Sequence, residues 1–193
     1  MTRRVFPALV LALLAVIAAT ALAGAQTAGT TEGPAGVSTA TAPFDQQFID
    51  AMAAHHQGAI AMSRMALEQA RSSKVKRLAR SIIRGQSAEL RTFQQLRKRW
   101  YGDAAFHRYD MSDRDMWMMG MPPHMEHMLN GAKNFDRMFL TMMIPHHAGA
   151  VAMANWEMSD GEHAALKRIA THEYVSQSQE IGQMQRMLGR PAM

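Results

Sequence analysis

"DAMAAHHQGAIAMS", from Asp50 to Ser63, and "TMMIPHHAGAVAMA", from Thr141 to Ala154, are one pattern written twice. Each sets two adjacent histidines in a run of alanine, glycine and methionine that reads as a buried helix. Sliding the chain against itself by 91 residues extends the match. Phe44-Asp45 meets Phe135-Asp136, Phe48 meets Phe139, and Met52 meets Met143. Gly58-Ala59 meets Gly149-Ala150, Met62 meets Met153, and Glu89 meets Glu180. The register holds without a gap from 44 to about 97 against 135 to about 188. So long an ungapped match marks an internal duplication.

Each copy predicts two helices. In the first, Phe48, Ala51, His55, Gly58, Met62 and Met65 recur at steps of three and four, and Ile49, Met52, His56, Ile60 and Leu67 form an adjacent stripe. Asp50, Gln57, Arg64 and Glu68 are left for the polar side. A second helix from near Ser73 carries the stripe Val75, Leu78, Ile82, Gln86, Glu89, Phe93, Leu96 and Trp100. Its counterpart runs Leu166, Ile169, Glu173, Gln177, Glu180, Met184 and Met187, so Glu89 and Glu180 both fall inside apolar stripes. Two hairpins with broad apolar faces close on each other as an all-α four-helix bundle, with the histidine pairs on facing inner helices.

The duplicated bundle occupies 44–190: a first hairpin at 44–100, a Met-rich crossover at 101–134 and a second hairpin at 135–190. Ahead of it, Arg3 and Arg4 precede an apolar run from Val5 to Ala23, followed by small-residue cleavage sites. Residues 1–25 therefore read as a signal peptide, with an uncleaved membrane anchor as the alternative. Residues 26–43 form a flexible leader rich in Ala, Gly, Thr and Ser. The bundle is expected in the periplasm or outside the cell, with no stable membrane span once the signal is cleaved.

Removing the signal leaves 19 basic against 16 acidic residues. Residues 71 to 99 hold ten Lys or Arg and a single acid, Glu89. Behind a signal peptide this cluster reads as a solvated helix face rather than a nucleic-acid surface. There is no cysteine among the 193 residues but there are 19 methionines, so any soft metal ligand must be a thioether. Nucleophilic catalysis has no support, since no G-x-S-x-G or phosphate loop occurs.

Buried imidazoles need hydrogen-bond partners or a metal. Residues three, four and seven apart share a helix face. Met52 and Met62 thus flank His55 and His56, and Met143 and Met153 flank His146 and His147. Thioether with imidazole is a ligand set for Cu(I), and imidazole also accepts Cu(II). Glu89 and Glu180 are placed to hold the second ring nitrogen of a metal-bound histidine. Pro145 inside the second motif removes a backbone donor and predicts a kink before His146. The crossover "MSDRDMWMMGMPPHMEHMLNGAKN" packs Met111, Met116, Met118, Met119, Met121, Met125 and Met128 into 18 residues beside His124 and His127. These are candidate surface metal ligands, with a short helix following Pro122-Pro123.

"FIDAMAAHHQGAIAMS" and "FLTMMIPHHAGAVAMA", each followed by a helix with the pattern LA or IA, then Q, then E, resemble the domain of unknown function family 305 over residues 44–190. The resemblance implies a ferritin-like four-helix bundle in exported bacterial proteins, some of which are associated with copper binding and copper tolerance. The matching motif positions are Met52, His55, His56, Met62, Met143, His146, His147 and Met153. Ala148 departs from the pattern, standing where the first copy has Gln57. The sequence therefore points to an exported copper-binding protein that buffers, tolerates or delivers Cu(I). Its partners would be the metal ion and a copper-trafficking protein, and not nucleic acid. A ferritin-like copper or iron oxidase and a non-catalytic helical interaction module are the alternatives; Glu-x-x-His, the di-iron signature, is missing from the inner stripe.

Overall fold

The computed structural model describes residues 37–38, 42–109, 116, 119–122 and 124–189. The signal peptide, most of the leader, Met111 and Met118 lie outside the described residues. The described chain is helical: α1 (Phe44–Gln69), α2 (Ser73–Tyr101), a short α3 (Met125–Asn130), α4 (Phe135–Asp160) and α5 (Ala164–Met187). A two-residue parallel bridge, Val37–Ser38 with Arg108–Tyr109, is the one strand pairing among the described residues.

Local chemistry sets the helix ends. The Ser72 hydroxyl accepts from the Lys74 and Val75 amides at the start of α2, and Asn134 accepts from Arg137 N at the start of α4. Gly102, at φ +80°, ends α2 in the left-handed conformation that glycine adopts without strain. α4 runs unbroken through Pro145.

α1 packs on α2, α4 packs on α5, and the two hairpins meet through α1 and α4. The duplication reappears as a reciprocal exchange. Asp45, at the start of α1, accepts from the Glu162 and His163 amides in the turn of the second hairpin. Asp136, at the start of α4, accepts from the Arg71 and Ser72 amides in the turn of the first. Each aspartate satisfies the turn of the other hairpin, which sets α1 and α4 antiparallel and fixes their register.

Two apolar clusters result. One holds Phe48, Met52, Phe93, Ala150, Met153, Leu166 and Ala170; the other holds Met62, Val75, Leu78, Ile82, Phe139, Met143 and Met184. Each contains one motif methionine from each hairpin.

One sequence reading needs correction. Asp50 does not lie on the solvated side: it is fully buried and paired with Arg97, itself fully buried although it belongs to the basic run. Helical periodicity gives an angle on the wheel but not what covers it. Here the start of the crossover does, with His107 N donating to Asp50 Oδ1 at 3.1 Å and Arg97 Nη1 donating to the Asp103 carbonyl at 3.0 Å.

Candidate metal centre

The four motif histidines are all fully buried and meet where α1 crosses α4. The rings of His55 and His146 lie 3.7 Å apart between centroids. His55 Nε2 donates to the His146 carbonyl at 2.7 Å, which leaves the His55 Nδ1 lone pair free. His56 Nε2 lies 2.8 Å from Glu173 Oε1 and 3.1 Å from Glu89 Oε2, and His147 Nε2 lies 2.7 Å from Glu180 Oε2. Glu89 and Glu180 are thus in hydrogen-bond contact with the motif histidine of their own hairpin.

Five buried ring nitrogens have no hydrogen-bond partner: Nδ1 of His55, His56 and His147, and both nitrogens of His146. Burial, with His56 and His147 close by, pushes His55 down to about 3. Burial among the other three histidines likewise holds His146 well below its ordinary value. Both rings are therefore neutral at physiological pH, the state that ligates metal. His56 behaves oppositely. Burial works against its charge, but the Glu173 and Glu89 carboxylates outweigh that and raise it to about 9.

Glu173 was not among the sequence-derived site residues. Its signal was a carboxylate on an apolar stripe, in register with Ile82 of the first copy. The site is therefore asymmetric: two carboxylates converge on His56, whereas His147 has Glu180 and, by register, an isoleucine.

Met119 and Gly120 of the crossover lie directly on this layer. A Cβ on Gly149 would sit 2.0 Å from the Met119 carbonyl oxygen, and one on Gly120 would sit 2.2 Å from that of Pro145. Only glycine at both positions permits so close a backbone approach. Beside this contact an open cavity of about 450 Å³ is lined by Met62, Met121, His124, Met125, His127 and His146, among others. Gly58 borders it, with its Cβ position 3.3 Å from the partnerless His146 Nε2. The crossover methionines are placed unequally: Met125 is buried in the core, Met116, Met119 and Met121 are half-buried, and Met128 is exposed. Met52, Met62, Met143 and Met153 are buried, Met62 alone among them reaching this cavity.

The model of the family described as "Domain of unknown function (DUF305)" matches residues 45–188. The chain belongs to the DUF305 family. CopM, solved in a Cu(I)-bound form, is 36% identical and aligns over 74% of this chain and 94% of its own, with a TM-score of 0.61. Its Cu(II)-bound form, also 36% identical over 74% of this chain and 94% of its own, superposes with a TM-score of 0.66. A DUF305 fragment from Deinococcus radiodurans is 30% identical over 75% of this chain and 95% of its own, with a TM-score of 0.68. Uncharacterized protein L153 of Acanthamoeba polyphaga mimivirus is 36% identical over 53 residues, 28% of this chain and 35% of that protein. No helix among the described residues is long and apolar enough to cross a membrane.

Proposed function

We propose that this DUF305 protein is an exported copper-binding protein that holds Cu(I) between thioether and imidazole groups. The observation that carries the proposal is the cavity where Met62, Met121 and Met125 meet His124, His127 and His146. Three soft sulfurs and three imidazoles suit Cu(I), and the two copper-bound forms of CopM support the same metal. Surface groups of the crossover capture the ion, and His146, with the His55 ring tilted against it, receives it. Met52, Met143 and Met153 with His56 and His147 complete the buried donor set, and Glu89 and Glu180 orient the rings. The role is buffering, tolerance or delivery to a trafficking partner in the periplasm or outside the cell.

The test replaces Met62, Met121 and Met125 together by leucine. Leucine preserves size and apolarity, and each such swap ordinarily costs less than about 1.5 kcal/mol. Cu(I) affinity, measured by competition with a chromogenic chelator, should fall by more than about tenfold. Cu(II) binding, which favours imidazole, should fall less. An unchanged Cu(I) titration in a folded triple variant would overturn the assignment.

A further inference from the structure

The copper reading uses His56 and Glu89 but leaves Glu173, which meets them, unexplained. Two carboxylates from different helices converge on one imidazole nitrogen, and the three ligand atoms lie within 4.8 Å of one another. Nε2 is 2.8 Å from Glu173 Oε1 and 3.1 Å from Glu89 Oε2. A transition-metal ion bound at about 2.0–2.2 Å holds neighbouring ligands about 3 Å apart, so these two hydrogen-bond distances also suit the edges of a coordination shell. A single imidazole N–H can fully satisfy one of the two carboxylates. A divalent ion held between the three atoms would balance both carboxylates.

The surroundings fix the carboxylates. Gln177 Nε2 donates to Glu173 Oε2 at 2.7 Å, which leaves Oε1 for the centre. Gln177 is 2% exposed and its own Oε1 has no partner. Gln86, one turn from Glu89 and equally buried, has neither amide atom partnered. His56 and Glu173 are buried, whereas Glu89 is 19% exposed and its Oε1 lies 3.5 Å from His172 Nδ1 at the surface. Glu89 therefore marks the side open to solvent.

We propose that His56, Glu89 and Glu173 form a second metal site, selective for a divalent ion of borderline or hard character such as Zn(II) or Mn(II). Its two oxygens and one nitrogen contain no thioether, so it discriminates against Cu(I). The site exists once in the duplicated fold, because the position equivalent to Glu173 is Ile82. The protein thus separates a soft ion in the cavity under the crossover from a hard one between α1, α2 and α5.

The experiment uses the purified protein stripped with a chelator and titrated with Zn(II), with Co(II) as the optical probe. The variants are Glu173→Gln, which keeps the shape, and Glu173→Ile, which supplies the residue found at the equivalent position. Circular dichroism checks that each is folded. One Zn(II) equivalent should weaken by more than about 100-fold in both variants, since loss of a ligand exceeds the loss of a supporting group. The rise in Tm that Zn(II) confers on the parent should disappear with it. Ag(I) binding, measured in parallel as the soft-ion probe, should stay unchanged, which keeps this result independent of the copper proposal. A parent protein that takes up no Zn(II) or Co(II), or folded Glu173 variants with the parent's titration, would overturn the site.

Discussion

Replacing His146 with leucine should stabilise the metal-free protein while weakening copper binding. His146 is fully buried and neither ring nitrogen has a partner. A buried polar group left unsatisfied costs about 1–3 kcal/mol, so an apolar side chain of similar size should raise stability by about that amount. The observable is the urea midpoint of chelated protein. Copper affinity should meanwhile fall by more than about 100-fold, because the ring lines the cavity and has its lone pair free. A gain in stability with a loss of function is the mark of a side chain kept for its chemistry. A destabilised variant would mean that the ring nitrogens are satisfied after all. A stable variant with full copper affinity would place the ion elsewhere.

Much of this arrangement was legible in the chain because the duplication is ungapped. A register of 91 residues places His55 and His56 opposite His146 and His147 once the hairpins close, and the close approach of the His55 and His146 rings agrees. The same register aligns Asp45 with Asp136 but says nothing of their task, since each reaches into the turn of the other hairpin. Glu173 was readable as a charge on an apolar stripe. Its convergence with Glu89 on His56 needed three helices in place. The path of the crossover was the least legible part, because it has no periodicity to read. Its one signal was the repeated glycine of the motif: Gly58 gives His146 room and Gly149 admits the Met119 backbone.

The largest stability effect should come from Asp50 and Arg97, the buried pair that periodicity assigned to solvent. Arg97 Nε donates to Asp50 Oδ1 at 2.8 Å and Nη2 to Oδ2 at 3.4 Å, and both side chains are fully buried. Removing Arg97 strands the Asp50 carboxylate in the interior, and removing Asp50 leaves the buried Arg97 with only the exposed Asp103 carboxylate, 3.3 Å away. Asp50→Leu or Arg97→Met alone should therefore cost about 3–5 kcal/mol in urea unfolding. The double variant should cost less than either single one, because no charge is then left unpaired. It should not be fully neutral, since His107 N loses its acceptor and the Asp103 carbonyl loses Arg97. Those two contacts tie the start of the crossover to the first hairpin. The double variant should accordingly show faster hydrogen exchange at His107, with α4 and α5 protected as before. Single variants that each cost under about 1 kcal/mol would show that water reaches the pair. The crossover would then be held over the histidine layer chiefly by the glycine contacts of Met119 with Gly149 and of Gly120 with Pro145.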